Sequence, residues 1–136
     1  MIYELAVIGI GDIRQQDQGV GIYLLDSLQK KFKKAPIKFI NGGVDGEDLF
    51  ILLQKVVAKQ IIVIDAAETT INPGSLNYLT ITPNETKILE KLILITIEPF
   101  KTEWGAKLSL SLLRKYDNIL AEVESNIKEL LNYSFQ

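Results

Sequence analysis

Residues 5–21 read LAVIGIGDIRQQDQGVG. The apolar run at 5–8 predicts a buried strand, and Gly9-Ile10-Gly11 predicts a turn directly after it. A polar loop carrying Asp12 and Asp17 follows, and a helix is expected to open around Gly19 and Gly21. Ligands of open α/β sheets bind beyond the carboxyl ends of the strands, where loops of this kind gather. An active site, if the chain has one, is expected to begin here.

The same pattern continues outward. Residues 2–8 are rich in Ile, Val and Leu with Glu4 as the single charge, as expected of a strand covered on both faces. Val20, Leu24, Leu25, Leu28 and Phe32 fall at helical spacing and predict an amphipathic helix over 18–31, closed by lysines and by Pro36. A short second strand at 37–40 leads into the turn Asn41-Gly42-Gly43. A second helix is expected to open at Gly46, with Leu49, Leu52, Leu53, Val56 and Val57 on its inner face. Residues 61–64 are all β-branched and run straight into Asp65. After the turn Asn72-Pro73-Gly74, residues 76–81 alternate, and the short connection before them suggests an antiparallel edge strand. Residues 83–90 hold at most two helical turns, and 92–97 predict a fifth strand. Leu112, Tyr116, Ile119, Leu120, Val123, Ile127, Leu130 and Leu131 form the clearest helical stripe, with Ser109 as its N-cap. The expected fold is a single α/β domain over 1–136. It is a three-layer sandwich in which a mixed five-stranded twisted sheet carries helices on both faces.

Composition narrows the function. The chain has 136 residues, 47% hydrophobic and 24% charged, with a net charge of −2 and scattered basic residues, so no nucleic-acid partner is expected. Cysteine is absent, which excludes disulfides, a cysteine nucleophile and thiolate metal sites. Histidine is absent too, removing the commonest general base and transition-metal ligand. Ser27, Ser75, Ser109 and Ser111 therefore have no imidazole to activate them, and a serine–histidine triad is excluded. No apolar run approaches a membrane span or a secretory signal, so a cytoplasmic protein with no membrane partner is expected.

The glycine turn is not a dinucleotide fingerprint. Arg14 stands where the third glycine belongs, and Asn41 stands where an acid would hold the ribose. Two carboxylates remain at the carboxyl edge, Asp65 after the central strand and Asp17 in the first loop. They are expected to point into one crevice as candidate catalytic residues, although each has an equally ordinary reading as a helix cap. The loop 98–104 carries Trp104, which reads either as a lid over the core or as a partner contact; a lid is the expectation.

Four ordered blocks resemble the hydrogenase maturation endopeptidases, which trim the C-terminal tail of the [NiFe]-hydrogenase large subunit after nickel insertion. They are Gly9-Ile10-Gly11-Asp12 with Asp17-Gln18-Gly19-Val20-Gly21; Asn41-Gly42-Gly43-Val44-Asp45-Gly46; the strand into Asp65-Ala66 with Pro73-Gly74; and Ile97-Glu98-Pro99 with Gly105 and Leu108-Ser109. The resemblance implies that fold, a hydrolytic activity on a protein substrate, and metal-site positions at Gln18 and Asp65. Gln18 replaces an acid of the family pattern, Asn41 replaces an aspartate, and the family histidine has no counterpart in the short segment 82–90. Asp12, Asp17, Asp45 and Glu68 are the neighbouring oxygen donors, a set suited to Mg²⁺ or Ca²⁺ rather than nickel. The resemblance implies no intrinsic cofactor, nickel being carried by the substrate. Gly42, Gly43 and Asp12 are the candidate substrate-binding residues. Two readings stay open: a peptidase acting on a hydrogenase large-subunit precursor, and a degenerate relative that binds such a partner without cutting.

Overall fold

The computed structural model describes residues 2–46, 49–83 and 88–134. Its elements are β1 (Tyr3–Gly9), a 3₁₀ turn (Gln16–Gly19), α1 (Val20–Lys31), β2 (Ile37–Asn41), a second 3₁₀ turn (Val44–Gly46) and α2 (Leu49–Lys55). There follow β3 (Ala58–Ala66), β4 (Leu76–Ile81), β5 (Lys91–Ile97) and α3 (Leu110–Ser134). The five strands form one sheet in the order β2-β1-β3-β5-β4. β2, β1, β3 and β5 run parallel, and β4 pairs antiparallel with β5 at the edge, as the alternation and short turn predict.

The pleat sorts the core into two layers. Leu5 and Val7 of β1 and Ile62 and Ile64 of β3 pack with Leu24 and Leu28 of α1 and Leu112, Val123 and Ile127 of α3. Their neighbours Ala6, Ile8, Ile61 and Val63 face the other way, against Leu49, Leu52 and Leu53 of α2. Period-2 alternation along strands apolar on both sides is what a sheet sandwiched between helices requires. The chain turns one way from β1 to β2 and the other way to β3, so a topological switch point lies between β1 and β3.

Glycine lets the first helix sit against the strand ends. A Cβ on Gly21 would lie 2.3 Å from the Ile10 carbonyl oxygen and 2.6 Å from that of Ile64, and one on Gly9 would lie 2.5 Å from the Gly21 carbonyl oxygen. The glycines of the opening stretch therefore serve backbone packing, with α1 lying directly over the ends of β1 and β3.

Three expectations change. The first helix begins at Val20 after a 3₁₀ turn, rather than at Gln18. The second is shorter than its apolar pattern suggests: α2 ends at Lys55, Val57 is exposed, and the Val57 carbonyl accepts from the Tyr3 amide (3.1 Å). The start of β3 at Ala58 draws Val57 out of the helix, while the Val56 amide still donates to the Leu52 carbonyl (2.9 Å) and Val56 packs on the expected inner face. Of the segment expected to hold up to two helical turns, residues 88–90 are not helical, and 84–87 lie outside the described residues, as do 47–48 near the predicted opening of α2.

β4 is tied to α3 by the Tyr78 hydroxyl, which donates to Glu122 and accepts from Asn126 Nδ2 (2.8 Å). The Tyr78 amide donates to Oδ1 of its own neighbour Asn77 (3.1 Å). Among the described residues, no helix is long and apolar enough to cross a membrane.

Candidate functional site

The carboxyl ends of β1 and β3 meet at the switch point, knitted by backbone bonds. The Ile10 amide donates to the Ile64 carbonyl (2.9 Å), the Gly42 amide to the Gly9 carbonyl (2.7 Å), and the Gly11 amide to the Gly43 carbonyl (3.2 Å). Asn41 Oδ1 accepts from the Gly43 amide (2.9 Å), closing an Asx turn, with Gly43 at φ 87°. Gly42 and Gly43 thus form a fixed backbone rim beside the end of β1.

Asp65 is the half-buried carboxylate on this rim. It follows Ile61 and Val63 on the pleat and faces the α2 side. One oxygen, Oδ1, accepts from the Ala66 amide (2.8 Å). Burial pushes its pKa up to about 6; that amide bond opposes the rise, and the nearby Asp45 carboxylate adds to it. Asp45 sits in the 3₁₀ turn before α2 with φ 56°, a left-handed conformation uncommon outside glycine.

Asp17 is elsewhere, and the expected shared crevice is not formed. Asp17 is fully buried at the start of α1, on the α1–α3 side of the sheet, while the pleat turns Asp65 to the other side. Its carboxylate accepts four hydrogen bonds: from the amides of Phe100 (2.9 Å), Lys101 (2.9 Å) and Ser109 (2.8 Å), and from the Ser109 hydroxyl (2.8 Å). Its lone pairs are committed, and it anchors the β5–α3 loop. Asp17 caps no helix itself: it holds Ser109, whose Oγ caps α3 at the Leu112 amide (3.2 Å), so the N-cap expected at Ser109 is the one that forms.

Asp12 is also spoken for. It is 4% exposed and held bidentate by Arg14, with Nε to Oδ1 (2.9 Å) and Nη2 to Oδ2 (3.0 Å). The Arg14 amide and Gln15 Nε2 complete its shell, and the Arg14 bonds hold its pKa down at about 2. Both Asp12 oxygens are therefore occupied within the fold, and neither is left free for a substrate. Gln18 is half-buried in the first 3₁₀ turn, where its carbonyl accepts from the Asp12 amide and its amide donates to the Gln15 carbonyl, both at 3.1 Å. Glu68 is exposed and accepts from the Thr102 hydroxyl (3.3 Å). Among the described residues no three Asp or Glu side chains converge as a metal cage. The donors present, one half-buried carboxylate and a neutral amide, do not fit a closed divalent-metal site.

The sequence reading overlooked Glu98, at the end of β5. It is 6% exposed and receives the Thr69 amide and hydroxyl (both 2.8 Å) and the Ile71 amide (3.4 Å) at one oxygen, which lowers its pKa. It pins the β3–β4 loop beside Asp65. The signal was a lone acid at the end of an apolar strand. Trp104 is not a lid: it is 72% exposed, and the Arg14 guanidinium lies 5.6 Å from its ring centroid. A cleft of about 490 Å³ between the sheet and α3, lined by Ile62, Tyr78, Thr80, Lys91 and Asn126, contains none of the candidate residues.

Residues 22–83 match the family model described as hydrogenase maturation protease. The fold superposes on the hydrogenase maturating endopeptidase HybD of E. coli with a TM-score of 0.72 at 15% identity, covering 93% of each chain. Over residues 22–83 the chain resembles the hydrogenase maturation proteases, and its fold is the one their solved structures show. At that identity the structural likeness speaks for the fold alone. Among curated proteins, the hydrogenase expression/formation protein HoxM of Cupriavidus necator is 26% identical over 76 residues, 55% of this chain and 37% of that protein. The coenzyme F420 hydrogenase subunit delta of Methanothermobacter thermautotrophicus is 30% identical over 83 residues, 58% of this chain and 52% of that one. The chain spans about half or less of the length of these two curated relatives. The family match covers β2, the glycine rim and Asp65, so the candidate site lies largely within it.

Proposed function

We propose that this protein is a maturation endopeptidase that engages the precursor of a [NiFe]-hydrogenase large subunit in the cytoplasm and releases its C-terminal tail. The observation that carries the reading is Asp65, a half-buried carboxylate at the switch point with a pKa near 6, flanked by the Gly42–Gly43 rim. A carboxylate so tuned takes a proton from water near neutral pH and returns it to a leaving amine, the two transfers peptide hydrolysis needs. Nickel belongs to the substrate here. The Gly42–Gly43 turn, whose amides are bonded within the fold, gives an extended tail a rigid border beside Asp65, and Gln18 offers a neutral amide.

A second reading, docking on the precursor without cleavage, is favoured by the committed state of Asp12 and Asp17 together with Gln18 and the absence of histidine. The two separate on incubation with a nickel-loaded large-subunit precursor, followed by mass spectrometry of the tail. Release that disappears in Asp65→Ala supports the peptidase. A stable complex with an intact tail overturns it in favour of docking alone.

A further inference from the structure

The chain's single tryptophan stands in solvent, 72% exposed, on a part of the molecule that is otherwise firmly held. Its loop is fastened at both ends. Asp17 binds the Phe100 and Lys101 amides before it and Ser109 after it, and Gly105 exchanges bonds with the first loop (Gly105 amide to Arg14 carbonyl, 2.8 Å; Gln16 amide to Gly105 carbonyl, 3.1 Å). Arg14, beside the ring, is fixed in turn by Asp12 through Nε and Nη2, which leaves Nη1 without a partner among the described residues. An indole and a guanidinium are therefore prepositioned in water, with their ordering cost already met within the fold. Trp and Arg are the side chains most often found to dominate protein interfaces, and preorganisation is what makes such contacts effective.

The position fixes what they serve. Arg14 lies in the loop after β1 and Trp104 in the loop after β5, and β1 and β5 are the strands on either side of β3, whose end carries Asp65. Charge fixes the class of partner. Asp12 neutralises Arg14, Glu103 offsets one of the two lysines of the tryptophan loop (Lys101 and Lys107), and Asp45, Asp65 and Glu68 share the edge of a chain of net charge −2, so no basic track for a phosphate backbone leads to Asp65. We infer that Trp104 and Arg14 form a docking clamp for an extended polypeptide segment leading to Asp65, with an apolar side chain on the indole face and a main-chain carbonyl on Arg14 Nη1. The inference rests on the proposed function and names the contact by which that substrate is held.

Because Trp104 is the only tryptophan, labelling with 5-fluorotryptophan gives one ¹⁹F resonance that reports on the clamp. Nickel-loaded large-subunit precursor is titrated into the labelled full chain, and affinity is measured in parallel for wild type, Trp104→Ala and Trp104→Phe, with circular dichroism verifying the fold. The expected result is a shift of the resonance on binding, an affinity loss of about tenfold or more in Trp104→Ala, and partial recovery in Trp104→Phe. Binding with an unmoved resonance and equal affinities overturns the clamp and leaves the proposed function standing. Absence of any binding overturns the proposed function and the clamp with it. A shift caused by single-stranded RNA and not by the precursor overturns the polypeptide assignment.

Discussion

Asp17 and Ser109, 92 positions apart, are joined by two hydrogen bonds, one from the Ser109 amide and one from its hydroxyl, both 2.8 Å. With the Phe100 and Lys101 amides they make a buried knot that closes the carboxyl edge on the α1–α3 side. Replacing Asp17 by alanine strands these buried donors, and a loss of about 3–5 kcal/mol in urea unfolding is expected. Ser109→Ala removes one bond and the α3 cap, at about 1–2 kcal/mol. A loss below 1 kcal/mol for Asp17→Ala contradicts the knot.

Gly21 reverses a general rule. Glycine to alanine inside a helix ordinarily stabilises by about 1 kcal/mol. Here the new methyl meets the Ile10 and Ile64 carbonyl oxygens at 2.3 and 2.6 Å, so α1 must lift from the sheet. Gly21→Ala is expected to destabilise by about 2 kcal/mol or more, read from the shift of the denaturation midpoint.

Asp65 makes stability fall as pH rises. Its folded pKa of about 6 lies above the ordinary aspartate value of 3.8, so the native state retains a proton that the unfolded chain releases between those values. The favourable contribution is complete below pH 3.8 and is lost as pH rises through about 6. Asp65→Asn is therefore expected to raise stability at pH 7–8, by about 1 kcal/mol once solvent screening of a half-exposed group is allowed for, and to leave it nearly unchanged at pH 4. Thermal melts across that range check the sign. A carboxyl ¹³C titration of the native protein should find a midpoint near 6.

Glu98 carries the opposite sign. Its pKa is lowered chiefly by the Thr69 amide, so its contribution is present above the ordinary carboxylate range and is lost as pH falls through the folded value. Glu98→Ala is expected to free the Thr69 and Ile71 amides, with faster hydrogen exchange there and unchanged exchange in β1. Unchanged protection at Thr69 would show that the loop is held by other means.

The fold was legible because it is written in short-range periodicities. Ile61 to Ile64 can only be a covered strand, residues 76–81 alternate as a sheet edge must, and Leu112 to Leu131 repeat at helical spacing. The site was less so. Asp17 in the loop after β1 and Asp65 at the end of β3 both belong to the carboxyl edge in sequence, but the face to which each turns depends on the pleat of β3 and the docking of α3, which are tertiary facts. The extent of α2 was overread because Val57 satisfies a helical pattern equally well as the approach to β3. Residue type alone predicts a covered indole at Trp104; its exposure is a tertiary fact, on a loop that Gly105 and Asp17 fasten to the segment after β1.

The span between Asp17 and Ser109 also sets an order of events. A ribosome adding about 5–20 residues per second delivers Ser109 roughly 5–20 s after Asp17. In the later part of that interval, once Ala66 has been added, the β1–β2–β3 unit has its full complement of residues, while Asp17 still lacks the donors that will bury it. The edge bearing Arg14 and Trp104 thus sets only after all five strands have been made, and a nascent chain acquires its sheet before its grip.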